Sequence, residues 1–219
     1  MEKELAKKGI ISEGVKFISE KEGVNPEIIA NNIAEGTCVI LKHKDIYLGI
    51  GKDIKTKINT NIGTSPDIVD VNLEIEKLKY SVKYGTDTIM DLSTGGNLDE
   101  IRKEIINKSL VPIGTVPIYQ AAIESVEEKG GIVNMEEDKI FKVIEKQIED
   151  GVSFMTVHCG INLNTLNRFK RNSRETLVVS RGGAFLISWM ISNEKENPLY
   201  KNFDRLIDIA KKHDVVLSL

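Results

Sequence analysis

From about residue 55 the chain alternates between two rhythms. Short apolar runs, KINTNI (57–62), TIMDL (88–92), VPIGTV (111–116), SFMTVH (153–158), TLVVS (176–180) and DVVLSL (214–219), are bounded by polar or turn residues. Runs of this length and content predict strands buried on both faces of a parallel sheet. The stretches between them carry helical spacing. SPDIVDVNLEIEKLKYSVKYG predicts a helix capped by Ser65 and led by Pro66, with Leu73, Leu78 and Val82 on its apolar side. NMEEDKIFKVIEKQIEDG sets Ile140, Ile144 and Ile148 four apart, behind a capping-box-like pair, Asn134 and Glu137. NPLYKNFDRLIDIAKKHD puts Leu199, Phe203, Leu206, Ile207 and Ala210 on one stripe.

Residues 1–54 read differently, as a small, mostly helical lead-in. There NPEIIANNIAEG offers Asn25 as an N-cap, Pro26 at the first helical position and Gly36 past the end. Residues 55–219 form the second region. The predicted strands start about every 31 residues, close to the roughly 30 per unit of an eight-fold β/α barrel. The expected fold class is therefore α/β, of the (β/α)8 TIM-barrel type with about six of eight units present. A doubly wound open sheet competes, because alternation alone does not separate the two.

Composition narrows the functional classes. With 219 residues, 41% hydrophobic and 29% charged, the chain can fill a sizeable core. A net charge of −3 gives no electrostatic case for a nucleic-acid or membrane partner. No apolar stretch reaches the roughly 18 residues of a membrane span, and the charged start lacks a signal peptide's apolar core. The cysteines, Cys38 and Cys159, are far apart and suggest no disulfide framework, so a reducing cytoplasm is the expected compartment. Two thiols also fall short of the three or four that hold a cubane iron–sulfur cluster, and the three histidines show no paired metal-ligand spacing.

In parallel α/β folds the working groups follow the carboxyl ends of the strands. Six such ends can be read here. NTNIGTSP offers Asn61, whose amide could reach a ligand, although Asn and Gly also make plain turns. MDLSTGGN gathers Asp91, Ser93 and Thr94 beside two glycines, with Asn97 as a helix cap and Met90 as a core residue. GTVPIYQA presents Tyr119, an aromatic face with a hydroxyl that could equally serve packing. TVHCG brings His158 to the mouth, with Cys159 read as structural because no supporting triad is visible. VVSRGGAFL is the most informative: Ser180, Arg181 and Gly182 lead into a helix whose exposed amides, with the arginine fork, would suit a phosphate or carboxylate. The sixth run, DVVLSL, arrives with no loop after it.

Together NIGTS, DTIMDLSTGG, VPIGTVPIYQA, VSFMTVHCG, VVSRGGAFL and KENPLY–FDRL resemble the phosphomethylpyrimidine synthase (ThiC) family of thiamine biosynthesis. The resemblance implies a radical S-adenosylmethionine (SAM) lyase with a β/α barrel, typically a homodimer. Such enzymes convert 5-aminoimidazole ribonucleotide into 4-amino-5-hydroxymethyl-2-methylpyrimidine phosphate, using a 4Fe-4S cluster, SAM and a metal, usually zinc. It also implies substrate-binding roles for Asn61, Met90, Tyr119, His158, Ser180, Arg181 and Gly182. The last three would meet the phosphate, the others the base or ribose.

Family members follow a strand like the sixth with a Gly-Asp-Gly-Leu-Arg-Pro-Gly loop, then metal-binding histidines and a Cys-x-x-Cys-x-x-x-x-Cys cluster motif. None of these stands in this sequence. The chain is therefore expected to be the N-terminal portion of such an enzyme, without cluster or zinc ligands and inactive alone. VILKHKD (39–45) stands where the family usually shows an apolar-Pro-x-Asn segment, and INLNTLNRFKRNSRET (161–176) departs from the longer family members. Three alternatives stay open: the paralogous 5-hydroxybenzimidazole synthase, which uses the same substrate; a non-catalytic ligand-binding fragment; and, more weakly, an unrelated phosphosugar-binding barrel.

Overall fold

The structure is a computed structural model that describes residues 2–171, 176 and 178–219. The chain opens with three helices, α1 (Glu2–Lys7), α2 (Glu13–Glu22) and α3 (Pro26–Glu35). Local chemistry fixes their ends. Ser12 Oγ accepts from Val15 N at the start of α2, and Asn25 accepts from Glu27 N just before Pro26. Gly36 closes α3 at φ 83°, the left-handed geometry that glycine adopts without steric cost.

An antiparallel hairpin follows, β1 (Cys38–His43) and β2 (Ile46–Gly51), which the reading of residues 1–54 as mostly helical did not foresee. Its two-residue loop is Lys44–Asp45, with Lys44 at φ 53°, in place of the Asn-Gly or Asp-Gly pair that usually announces such a turn. The hairpin tip docks on the main body. Lys44 Nζ donates to the carbonyls of Asn107 and Ser109, at the carboxyl end of α5 (Leu98–Lys108), where a cation meets unpaired helix carbonyls.

The main body is a five-stranded parallel sheet in sequential order: β3 (Asn59–Ile62), β4 (Thr88–Asp91), β5 (Ile113–Thr115), β6 (Phe154–Thr156) and β7 (Val216–Ser218). Helices connect the strands: α4 (Val71–Lys83), α5, α6 (Pro117–Lys129) and α7 (Glu137–Glu149), then α8 (Leu163–Arg171), α9 (Arg181–Asn193), α10 (Pro198–Lys201) and α11 (Phe203–His213) before β7. The main core packs between sheet and helices, with Ile89, Ile113 and Met155 of the strands against Ile105, Ile140, Phe141, Leu186 and Leu206 of the helices, all with no exposed surface. The first three helices and the hairpin pack around a second, smaller cluster that includes Val15, Ile18, Ile29 and Cys38.

Three expectations change. The run 176–180 is not a strand among its described residues (Leu177 lies outside them), and β6 pairs directly with β7, Phe154 opposite Val216. Ser65 does not cap a helix: it closes a turn with Ile68, and α4 begins five residues later on Asp70, whose carboxylate accepts from Leu73 N. Leu73 is consequently exposed, while Ile75 and Leu78 are buried. Asn134 likewise belongs to a short 3-10 turn, its amide donating to Lys129 O, and α7 starts without a side-chain cap.

A candidate anion-binding site beyond the strand ends

The first two strand ends are stitched to each other. Leu92 N donates to Ile62 O and Thr94 N to Thr64 O, both backbone continuations of the β3–β4 ladder. Thr64 Oγ1 then donates to Gly95 O at 2.7 Å. Asp91 lies beneath this seam, accepting from both the amide and the hydroxyl of Ser93 at 2.9 and 2.6 Å. Its burial raises its pKa, against the pull of the Ser93 bonds and of Arg102. The glycines have steric reasons. A methyl group on Gly63, which sits at φ 147°, would lie 2.5 Å from Ser93 N.

A cavity of about 300 Å³ opens over this seam. Asn61, Thr64, Lys77, Thr94, Tyr119 and Arg181 contribute to its walls. Of the sequence-predicted residues, it brings together Asn61 from β3, Tyr119 from α6 and Arg181 from α9. Asn61 is exposed and holds the amide of Asn59 at 3.0 Å through its own oxygen. The Tyr119 ring meets Phe185 edge-on at 6.1 Å between centroids. The guanidinium of Arg181 lies over the same ring, 5.2 Å from its centroid.

The other predicted residues surround this cavity without lining it. Met90 pairs in register with Asn61 on one side and Gly114 on the other, and its side chain is in the core. Ser180 caps α9, its hydroxyl accepting from Gly183 N at 3.1 Å, and Gly182 is buried in the first turn. His158 packs on that turn: a Cβ added to Gly182 would fall 2.5 Å from its Cε1. The glycine is therefore what lets the imidazole approach the helix start, next to Arg181.

The Nδ1 of His158 is buried and has no hydrogen-bond partner among the described residues. Burial holds the imidazole below its ordinary pKa of 6.5. The folded chain thus takes up this proton at a lower pH than the unfolded chain. The stability tied to the neutral ring is present above about pH 6.5 and lost as pH falls below it. An NMR titration of the His158 ring is expected to give a midpoint below 6.5; a midpoint at or above that value would contradict a desolvated ring. Cys159, next to it, is buried with its thiol pushed upward by desolvation, which keeps it protonated and structural.

Sequence reasoning missed Lys77 and Glu74. Both sit in the charged run EIEKLK of α4, where nothing distinguishes them from a solvated helix face. Glu74 is in fact buried: one oxygen accepts from Gly63 N at 2.7 Å and the other holds Lys77 Nζ at 2.7 Å.

Comparison with known proteins decides the family. The profile of the radical SAM ThiC family matches residues 2–219. The chain belongs to this family. It is 54% identical over 220 residues to the phosphomethylpyrimidine synthase of Caldanaerobacter subterraneus subsp. tengcongensis, covering 99% of this chain and 51% of that one. It is also 54% identical over 217 residues to the phosphomethylpyrimidine synthase of Methanocaldococcus jannaschii, covering 98% of this chain and 51% of the relative. For the phosphomethylpyrimidine synthase of Thermodesulfovibrio yellowstonii the identity is 52% over 219 residues, with 99% and 51% covered. The chain thus spans about half the length of the curated relatives it matches.

The thiols of this radical SAM ThiC family member do not fit an iron–sulfur cluster. Cys38 packs in the smaller core cluster and Cys159 in the main one, both buried. Among the described residues no group of three or more His, Cys, Asp or Glu side chains could hold a metal ion. No helix among them is long and apolar enough to cross a membrane.

Proposed function

We propose that this chain forms the substrate-binding part of a phosphomethylpyrimidine synthase. In this reading the cavity over β3 and β4 takes 5-aminoimidazole ribonucleotide, which the complete enzyme converts to 4-amino-5-hydroxymethyl-2-methylpyrimidine phosphate by radical SAM chemistry. The observation that carries the reading is the convergence of Asn61, Tyr119 and Arg181, from three separate elements, on one cavity at the carboxyl ends of a parallel sheet. The phosphate belongs with Arg181 and the first turn of α9, where Ser180 and Gly182 shape the helix start. Tyr119 offers its ring to the imidazole base and Asn61 its amide to the ribose, while His158, packed against Gly182, supports the start of α9 beside Arg181.

The sheet is read as the larger part of a β/α barrel, as the family resemblance implies. With two buried cysteines, the 219 residues are proposed to bind the ribonucleotide but not to cleave SAM. Isothermal titration calorimetry of this chain with 5-aminoimidazole ribonucleotide tests the binding half. Arg181→Ala is expected to weaken binding about 10- to 100-fold, the effect of losing a hydrogen bond to a charged group. Equal affinity in parent and variant would refute the phosphate role.

A further inference from the structure

The cavity has a second cation, and it is held in place. Lys77 of α4 lines the same cavity as Arg181 of α9, its side chain 46% exposed. Its anchor is Glu74, whose side chain is only 3% exposed. Both oxygens of that carboxylate are occupied, one by Lys77 Nζ and one by Gly63 N. A buried carboxylate is expensive unless paired, so this one fixes the ammonium and the β3 loop together. An ammonium has three donors. Glu74 takes one, which leaves the others for the cavity.

Arg181 reaches the cavity from the first turn of α9, over the Tyr119 ring and, among the described residues, with no carboxylate against it. The rest of the lining is uncharged: Asn61, Thr64, Ser65, Thr94 and Tyr119 supply amide and hydroxyl groups, and among the described residues no acidic side chain lines the space. A cavity lined by cations from two separate helices, with neutral donors beside them, is built for a multiply charged anion.

We propose that Lys77 is a binding residue for the phosphate of the ligand, positioned by Glu74 and acting with Arg181. The inference deepens the proposed function and rests on its cavity, but it makes a separate claim: the anion is bracketed from α4 as well as from α9. Glu74 acts only through Lys77 and the Gly63 loop and is a positioning residue.

The test uses the 219-residue chain and two probes, 5-aminoimidazole ribonucleotide and inorganic phosphate, followed by amide NMR shifts at Gly63 and Thr64. Lys77→Met is expected to weaken both about tenfold, and Lys77→Arg, which keeps the charge, to retain most of the affinity. Lys77→Met alone leaves Glu74 buried without its cation and can destabilise the fold. The double variant Glu74→Gln with Lys77→Met avoids this, because the amide oxygen still accepts from Gly63 N and no unpaired charge remains. It is expected to fold like the parent and still lose the tenfold. Unchanged phosphate affinity in the double variant would overturn the inference. If the ribonucleotide binds parent and double variant alike, the inference fails and the proposed function stands. If phosphate binding depends on Lys77 while the ribonucleotide does not bind, the proposed function fails and the inference stands. If neither probe binds the parent, both fail.

Discussion

Gly63→Ala is expected to lower stability by about 3 kcal/mol or more, and to abolish ligand binding at temperatures where the parent still binds. Two effects add at this position. The residue sits at φ 147°, where an L side chain costs about 1–3 kcal/mol. Its new methyl group would also lie 2.5 Å from Ser93 N and 2.6 Å from Leu92 C. Those are backbone atoms in the β3–β4 seam, not the movable end of a side chain, and overpacking of that kind costs about 1–3 kcal/mol. Relief would part the two loops that form the floor of the cavity and pull Gly63 N from Glu74. Thermal unfolding checks the first half: at roughly 2–4 °C per kcal/mol in a chain of this size, the melting temperature should fall by about 6–12 °C. A fall of under 2 °C would mean that the loop shifts freely and that the seam is not what holds the site.

Arg102→Met is the second large effect, about 3 kcal/mol of lost stability. Arg102 is 2% exposed and lies among Asp150, Asp99 and Gln120. Gln147 continues the network, donating to Gln120 and accepting from Thr115. The cluster therefore clamps α5, α6 and α7 to the end of β5. Burial opposes charge on Asp99, but hydrogen bonds from Lys146, Gln120 and Arg102 outweigh it and hold the carboxyl well below the usual range. Removing the guanidinium leaves Asp150, whose side chain is 9% exposed, with only the more distant Lys103 at 3.3 Å. Breaking a buried pair in this way costs about 3–5 kcal/mol, and we take the lower end because Lys103 and Lys146 partly compensate. Adding Asp150→Asn removes the stranded charge, so the double variant should recover part of the loss in urea unfolding. No recovery would place the cost in packing and not in the uncompensated carboxylate. Because α6 carries Tyr119, ligand affinity should fall along with stability.

How far the sequence alone reached can be judged from particular residues. Ile89, Ile113 and Met155 sit in short apolar runs, and such runs read correctly as parallel strands, most fully in β4 and β5, where every residue is buried. TLVVS has the same local character, yet Val179 is 85% exposed and β6 pairs with β7 instead. Pairing depends on a partner far away in the chain, which an apolar run does not specify. The Ser65–Pro66 pair looks like a helix start but serves a turn, and Asp70, a cap residue of the same quality, starts the helix instead. The hairpin was hidden by its Lys44–Asp45 turn. At the cavity, the strand-end rule picked out Asn61 and Tyr119, which follow from β3 and β5, whereas Arg181 lines the same space from the start of α9 although the run before it forms no strand among its described residues. It could not find Glu74 and Lys77, which reach the cavity from the middle of a helix through one buried carboxylate.

The proposed function puts a phosphorylated ribonucleotide over the carboxyl ends of β3 and β4. The most direct measurement is the amide NMR spectrum of the isotopically labelled 219-residue chain, titrated with 5-aminoimidazole ribonucleotide. Saturable shifts are expected, concentrated at Gly63, Thr64, Thr94, Tyr119 and Gly182. Saturable shifts that cluster elsewhere, or a spectrum unchanged at millimolar ligand, would contradict that placement.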